Sequence, residues 1–248
     1  MSGHSKWKTI KHKKGANDAR RGKLWSKLAR NIIVAAKSGG GDPAMNLTLR
    51  YAIDKAKEAN MPNDTIDKAI KRGTGELQGA EYVPALYEGY GPGGVAVIVE
   101  ALTDNPNRTA PDVKKIFERA GGNLGTANCV SWNFATKGLF TVAAADADED
   151  TLMEIALEAG ADDVVRQDDV FEITCEVSAY DAVRKALEEK SIKTQTAEIT
   201  KIPGTTIKVD AKTGEKVLRM IDAFEDNDDV QQVHSNVDIP EEVLAQLQ

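Results

Sequence analysis

The chain has few of the residues from which catalytic and metal sites are most often built. It holds two cysteines and three histidines among 248 residues. Cys129 and Cys175 lie far apart in apolar, strand-like surroundings, with no second Cys or His at the spacing of a metal site. We therefore expect both to be buried free thiols, and we expect neither a metal nor a cofactor.

The histidines do not form a catalytic arrangement either. His4 and His12 belong to the N-terminal segment, whereas His234 lies near the other end of the chain. No Ser, Cys or Asp can be combined with them from the sequence into a nucleophile and its base. The sequence gives no support for an enzyme or for a small-molecule substrate.

Long apolar runs and aromatic residues are also scarce. No run approaches the roughly 18 residues of a membrane-spanning helix, and aromatics make up 5% of the chain. The start, Met1-Ser2-Gly3, lacks the apolar region of a signal peptide. We expect a cytoplasmic protein without a membrane partner, whose cores consist mainly of Val, Ile, Leu and Ala.

Acidic residues are almost missing from the first 37 positions, where Asp18 is the only one. The same segment carries eleven basic residues, eight of them Lys. Up to residue 78 there are 17 basic and 7 acidic residues, whereas residues 79–248 hold 15 basic and 32 acidic ones. A basic N-terminal part is therefore joined to an acidic remainder, in a chain whose net charge is -7.

Segregated positive charge is typical of proteins that bind nucleic acid, because cations that meet phosphates release condensed counterions. Lys suits phosphate contacts, Arg can also bind phosphate through two hydrogen bonds or reach a base edge, and Trp7 could stack on a base or pack the segment onto helices. The predicted nucleic-acid-binding residues are Lys6, Trp7, Lys8, Lys11, His12, Lys13, Lys14, Arg20, Arg21, Lys23, Lys27 and Arg30. The same charge pattern is compatible with a solvated basic surface, and with a mitochondrial transit peptide, although transit peptides favour Arg and Ser over Lys.

The first 78 residues are predicted to form a basic helical domain after an extended arm over residues 1–16. Apolar residues recur every three or four positions from Asp18 onward, which predicts a helix that stops at Gly39-Gly40-Gly41. A second helix is predicted to be capped by Asp42 and opened by Pro43. A third is predicted from Asn63 to a C-cap at Gly73.

Beyond residue 79 the apolar spacing becomes typical of strands. Strands are predicted over 82–88, 95–102 and 129–134, with a helix over 112–119. Residues 139–202 then show the order strand, helix, strand, strand, helix, strand, which is the ferredoxin-like order. Residues 205–237 supply a strand, a helix and a strand, which would complete the half-covered sheet of residues 79–136.

We therefore predict an α+β fold of three domains. The first is the basic three-helix domain, residues 1–78. The second is a discontinuous α/β domain, residues 79–136 and 203–248, and the third is a ferredoxin-like α/β domain, residues 137–202, inserted into it. The glycines at 73–75 and 79 predict a hinge between the basic domain and the acidic remainder. Because the two parts carry opposite charge, we expect the acidic part to screen the basic one until a polyanion competes.

The glycine-rich segments lack the context of a phosphate-binding loop. Residues 89–94 are followed by a strand rather than a helix, which predicts a hairpin turn. Residues 121–125 follow a helix and are predicted to end it, with the option of lining an interdomain groove. The acidic run 226–229 lacks the Gly and the distant Glu of a calcium loop and is predicted to be a polar turn.

The basic residues also carry a resemblance to a known family. The segments Gly3-His4-Ser5-Lys6-Trp7 and Asp18-Ala19-Arg20-Arg21-Gly22-Lys23 are similar to the N-terminal signature of the YebC/PmpR family. Further similar segments are residues 40–43, 52–57, 60–62, 69–73, 87–96, 103–105, 107–109 and 121–125. The resemblance is strong to about residue 138 and stays collinear to residue 233.

This resemblance implies three domains, one helical and two α/β, in a cytoplasmic transcriptional regulator that binds promoter DNA. Related proteins, among them a mitochondrial activator of cytochrome oxidase subunit I synthesis, act in translation, and bacterial members are linked to ribosomes stalled on proline-rich stretches. The chain departs from the family pattern at Pro106 and at Ala110-Pro111, where a stiffer loop could alter a contact of Arg108.

The sequence thus predicts a non-enzymatic transcriptional regulator that binds DNA through its basic N-terminal domain. The alternative is a ribosome-associated translation factor that binds ribosomal RNA. A third class, an adaptor that binds basic proteins through the acidic remainder, also stays open.

Overall fold

The computed structural model of the chain describes residues 18–167 and 169–239, with side chains described from residue 21 onward. Within these residues the helices are α1 (Asp18–Gly39), α2 (Leu47–Glu58), α3 (Asn63–Gly73), α4 (Pro106–Ala120), α5 (Glu149–Glu158), α6 (Tyr180–Glu189) and α7 (Ala211–Glu225). The strands are β1 (Val83–Tyr90), β2 (Ala96–Thr103), β3 (Asn123–Leu124), β4 (Phe134–Ala143), β5 (Ala161–Gln167), β6 (Val170–Cys175), β7 (Thr194–Pro203), β8 (Ile207–Lys208), β9 (Val230–Ser235) and β10 (Val237–Asp238). The predicted arm lies outside the described residues.

The helices α1 to α3 pack around one aliphatic core. Its buried members include Leu28, Ile32, Ile33, Leu49, Ile53, Met61 and Ile66. Gly73 lies where α3 crosses α1, and a Cβ there would meet the carbonyl oxygen of Ile33 at 2.5 Å. As predicted, α3 ends at this glycine, although the C-cap residue is Thr74. We call this part, residues 18–78, the helical unit.

The predicted start of α2 is wrong. The helix begins at Leu47 because the side chain of Asn46 accepts the amide of Leu49 at 3.1 Å. Asp42 instead caps a turn, where its carboxylate accepts the amide of Ala44 at 2.9 Å.

The first sheet has the strand order β3-β1-β2-β9, and its neighbouring strands are antiparallel. Strand β9 joins it from the far end of the chain, since Val97 pairs with Ser235 and Val99 with Val233. One core includes buried residues of β2, α4, α7 and β9, with the rings of Phe117 and Phe224 in edge contact at 4.8 Å.

The second sheet has the order β5-β6-β4-β7, again with antiparallel neighbours. Helices α5 and α6 contribute to its core, which includes Phe140, Leu152, Phe171, Ile173 and Leu187. This is the βαββαβ arrangement expected from the sequence. The α+β fold, with a helical N-terminal part and two α/β parts, is confirmed, while the domain boundaries stay a prediction.

Two elements near the junction of the sheets differ from the sequence prediction. Helix α4 begins at Pro106 rather than at 112, because the side chain of Asn105 accepts the amide of Arg108 at 3.2 Å and a proline is favourable in the first turn. Pro106 thus opens a helix instead of stiffening a loop. The predicted strand 129–134 is wrong as well: Ser131–Asn133 is a 3₁₀ turn, and β4 begins at Phe134.

The glycine turns follow the prediction. A short 3₁₀ turn over Pro92–Gly94 joins β1 to β2, and Gly93 has a φ of 73° that favours glycine. Gly121 ends α4 in the left-handed conformation with a φ of 86°. Both cysteines are free, Cys175 buried and Cys129 partly buried.

Candidate nucleic-acid interface

The structure describes part of the predicted binding surface. Seven of the predicted residues lie outside the described ones: Lys6, Trp7, Lys8, Lys11, His12, Lys13 and Lys14. Arg20 belongs to α1, but its side chain is not among those described. The remaining four, Arg21, Lys23, Lys27 and Arg30, are side chains of α1, and Arg21 is exposed.

Three of these cations share one face of α1. Lys23, Lys27 and Arg30 are spaced by four and three positions, which places them on one side of a helix. This side faces the turn between α7 and β9, residues 225–229, which we call the acidic turn. Four of its five residues are Asp or Glu, so the most basic of the described helices packs against a strongly acidic segment.

The two lysines bind the carbonyl oxygens at the end of α7. Lys23 Nζ donates to the carbonyl of Asp226 at 2.7 Å, and Lys27 Nζ donates to that of Glu225 at 2.6 Å. The last carbonyls of a helix have no partner within the helix and carry its partial negative charge. Lys23 also lies 3.8 Å from the carboxylates of Asp226 and Asp228. The lysines therefore neutralise a helix end that has no basic residue of its own in its last turn.

Arg30 makes the most extensive contacts of the three. Its Nη1 donates to the carboxylate of Asp229 at 2.9 Å and to the carbonyl of Asp228. Its guanidinium also lies 5.0 Å from the centre of the Tyr82 ring, within reach of a cation–π interaction. A neighbouring amide pair, Asn31 with Gln231 at 3.2 Å, extends the same contact.

Asp229 is the centre of this network. It is 4% exposed, and besides Arg30 its carboxylate accepts from Arg108 Nη2 at 2.7 Å and from Thr109 Oγ1 at 2.7 Å. Burial alone would raise the pKa of Asp229, but the hydrogen bonds from Arg108 and Thr109 and the two arginine charges outweigh it and lower that pKa. One ionised carboxylate thus joins α1 to α4 and β9.

Lys27 is held in an unfavourable environment for a cation. Burial lowers its pKa to about 8, although the negative charge of Glu225 acts in the opposite direction. A lysine in contact with water has no such penalty. Lys27, packed against the acidic turn, therefore loses its proton at a lower pH than an exposed lysine does.

A second group of cations on the helical unit is not among the predicted binding residues. Lys68, Lys71 and Arg72 have the spacing of one face of α3, all three are exposed, and none forms an ion pair with a described residue. The signal is present in the sequence, but basic residues in the last turn of a helix, such as Lys71 and Arg72, also balance its dipole, so their spacing alone does not indicate a binding face. These side chains are accessible to a ligand, whereas the cations on α1 are already bonded to the acidic turn.

The remaining contacts of the helical unit with the second sheet and its helices are largely polar. Arg50 pairs with Asp181 at 3.1 Å, Arg184 with Asp54 at 3.6 Å, and Tyr51 meets Tyr180 edge-on at 5.7 Å. A cavity of about 480 Å³ lies beside these residues, lined by α1, α2, α6 and β7. The interface therefore resembles a separable contact between domains more than a continuous core.

Comparison with known proteins places the chain in a family. A model described as the TACO1/YebC protein N-terminal domain matches residues 5–76, and one described as the TACO1/YebC second and third domain matches residues 82–237. The chain belongs to the TACO1/YebC family. Residues 5–76 include α1 and α3, and residues 82–237 include the acidic turn, so both sides of the contact lie in family-matched segments.

The relatives match over the full length of the chain. A protein of Desulforapulum autotrophicum is 55% identical and one of Geobacter sulfurreducens 54%; the matches cover 98% and 100% of this chain and the same shares of the relatives. Each is named "probable transcriptional regulatory protein". The crystal structure of a conserved hypothetical protein from Aquifex aeolicus is 47% identical, covering 92% of this chain and 94% of that one, with a TM-score of 0.82.

The described residues contain neither a candidate metal-binding cluster nor a candidate membrane-spanning helix. Within residues 18–167 and 169–239, no three His, Cys, Asp or Glu side chains are grouped so that they could hold a metal ion. Over the same ranges, none of the helices is both long and apolar enough to cross a membrane.

Proposed function

We propose that this chain is a non-enzymatic regulator that binds DNA through its helical unit, and that the acidic turn competes with DNA for α1. The observation that carries the proposal is the set of cations Lys23, Lys27 and Arg30, each bonded to oxygen atoms of the acidic turn. A phosphate backbone presents oxygens of the same kind in a row, so a face that binds one can bind the other. The names of the relatives support the regulatory role.

The open cations on α3 give the polyanion a first point of contact. Lys68, Lys71 and Arg72 are exposed, and counterion release makes phosphate contacts at such residues favourable without any rearrangement. Contacts on α1 form only when the acidic turn is displaced. Binding therefore proceeds from the exposed face to the covered one.

Displacement of the acidic turn is feasible because of what holds it. The contact of Lys23 with it is exposed, since Lys23 and Asp226 keep 47% and 83% of their side-chain surface exposed. Exposed ion pairs contribute little, about 0–1 kcal/mol each. A polyanion can replace each of these contacts by a similar one, whereas the buried Asp229 provides the main resistance.

The test is binding of a labelled DNA duplex to the full chain by fluorescence anisotropy at several salt concentrations. Six phosphate contacts, three on α1 and three on α3, would give a log–log salt slope of about -5. The double variant Lys68→Glu, Lys71→Glu should weaken binding and reduce the slope by about 2. The matched control is Lys114→Glu, Lys115→Glu on α4, which makes the same change in net charge on the first sheet's helix, where both lysines are ion-paired.

Three outcomes would contradict the proposal. Equal weakening by both double variants would mean that net charge, rather than the face of α3, governs the interaction. Equal affinity for promoter and scrambled duplexes would contradict a sequence-specific regulator. Tighter binding to structured RNA, together with cosedimentation with ribosomes, would replace DNA by ribosomal RNA as the partner of the same face.

A further inference from the structure

The acidic part of the chain contains one long segment without any charge. Residues 120–136 include no Asp, Glu, Lys, Arg or His, although residues 79–248 together hold 32 acidic and 15 basic residues. Much of the segment is exposed, including Asn123, Thr126 and Asn128. We call residues 123–132 the Trp132 loop. It is a surface where an approaching phosphate would meet no carboxylate of the loop itself.

Trp132 is the most unusual side chain of this loop, because 77% of it is exposed. Tryptophans are highly buried on average, since exposure of so large a ring to water is unfavourable. Its indole Nε1 donates to the carbonyl of Cys129 at 3.0 Å, and Tyr90 donates its hydroxyl to the same carbonyl at 3.1 Å. One edge of the indole is thus fixed while its surface stays accessible.

The loop that carries Trp132 is held in place by a buried carboxylate. Glu88 is 3% exposed and accepts the backbone amides of Asn128, Val130 and Ser131, each at 2.9 Å. Burial alone would raise the pKa of Glu88, but the hydrogen bonds from Ser131, Val130 and Asn128 outweigh it and lower that pKa. A side chain on a fixed loop loses little conformational entropy when a partner binds. The exposed ring is therefore preorganised for contact.

The surroundings of the ring favour a nucleobase over an apolar protein surface. The anchors of a protein–protein interface usually lie in an apolar core. Of the other four exposed residues of this loop, by contrast, three carry an amide or a hydroxyl, namely Asn123, Asn128 and Thr126. Such groups can hydrogen-bond the edges of an unstacked base, and an indole face stacks on any base. We propose that the Trp132 loop stacks on unpaired bases of the nucleic acid. The proposal rests on the proposed function, because it assigns a second contact to the same partner.

The test compares single-stranded and duplex oligonucleotides of equal length, as DNA and as RNA, with the full chain. Trp132→Ala should weaken single-strand binding about 5- to 150-fold, with little effect on duplex binding, whose bases are already stacked. Trp132→Phe should retain part of the affinity, and quenching of the tryptophan fluorescence by the single strand should be reduced in that variant. Met45→Ala is the matched control, since Met45 is apolar, 84% exposed and lies on the helical unit.

The outcomes separate this inference from the proposed function. If the wild type binds duplex normally and Trp132→Ala binds the single strand as the wild type does, stacking is refuted and the proposed function stands. Equal weakening of single-strand and duplex binding would also refute stacking. If the wild type binds no nucleic acid of either kind, both proposals fail together. Thermal unfolding of Trp132→Ala close to that of the wild type shows that its loss of affinity reflects the contact rather than the fold.

Discussion

Replacement of Asp229 by Asn tests the contact between the helical unit and the acidic turn most directly. Asparagine keeps the size of the side chain but removes its charge and half of its acceptor capacity. Asp229 itself is not one of the proposed DNA contacts, so the cations of α1 stay intact. The hydrogen bond that is weakened joins Arg30 to Asp229 at 2.9 Å across the interface.

The size of the effect follows from that bond. A hydrogen bond to a charged group contributes about 1.5–3 kcal/mol, and Arg30 keeps its bond to the carbonyl of Asp228. We therefore take the lower part of that range, about 1.5–2 kcal/mol, which changes the ratio of closed to open forms by about 10- to 30-fold. Because α1 contacts DNA only in the open form, the affinity rises by up to the same factor.

The assay is anisotropy of a labelled duplex at low and at physiological salt, with thermal unfolding as a check on the fold. Asp104→Asn is the control. Asp104 is the other carboxylate bound by Arg108, at 2.9 Å, so its removal changes the net charge equally without a contact to α1. Asp229→Asn should tighten binding well beyond the control.

If Asp229→Asn is folded and binds the DNA duplex no more tightly than Asp104→Asn does, the acidic turn does not compete with DNA for α1. Weaker binding would be a still stronger contradiction, because it would mean that the closed arrangement is the one that binds DNA. Isolated residues 1–78 offer a second route, since removal of the acidic turn should tighten non-specific binding.

Three further predictions concern stability and pH. Burial lowers the pKa of Lys27 from its ordinary 10.5 to about 8, so between these pH values the unfolded chain binds more protons than the folded one. The free energy of unfolding of the wild type should therefore rise from about pH 8 to 10.5 relative to that of Lys27→Met. The same pH dependence of the melting temperature in both proteins would contradict this. Burial raises the pKa of Glu172 from 4.5 to about 7, so wild-type stability relative to Glu172→Gln should fall as the pH rises through this window, and a constant difference would refute the assignment. Gly73→Ala should lower the free energy of unfolding by about 1–3 kcal/mol, because its Cβ would meet the carbonyl of Ile33 at 2.5 Å. Gly22→Ala, with nothing within 4 Å of the new Cβ, should instead stabilise α1 by up to about 1 kcal/mol, and equal effects of the two would contradict the packing argument.

The sequence was sufficient for elements whose signals are local. Helix α7 shows its buried face as Val217, Ile221 and Phe224, and the order of the second sheet follows from alternating patterns separated by glycine turns. The N-cap of α2 could not be predicted in this way, because Asp42 and Asn46 are both suitable. Asn46 is used since its buried amide also donates to the carbonyl of Ala35 on α1 and to that of Gly40 just after it, contacts that exist only after packing.

Long-range partners account for the remaining differences. Residues 129–134 have the composition of a strand, but three amides between 128 and 131 are bound by Glu88, which is 40 or more positions away. In the same way, the basic face of α1 was evident from charge alone, whereas its partner lies about 200 positions later. Net charge predicted that the two parts attract each other, but not which residues meet.

The late position of β9 and the acidic turn has a consequence for the order in which the chain is made. Domains fold largely as they emerge during synthesis, from the N-terminus onward. The helical unit has its own core and is complete by residue 78. Strand β2, in contrast, can pair with β9 only after the chain has been made beyond Val230. While the intervening residues are translated, Lys23, Lys27 and Arg30 have no acidic turn to bind. A nascent chain therefore presents its basic helix uncovered, next to the ribosomal RNA from which it emerges, and covers it only when synthesis is nearly finished.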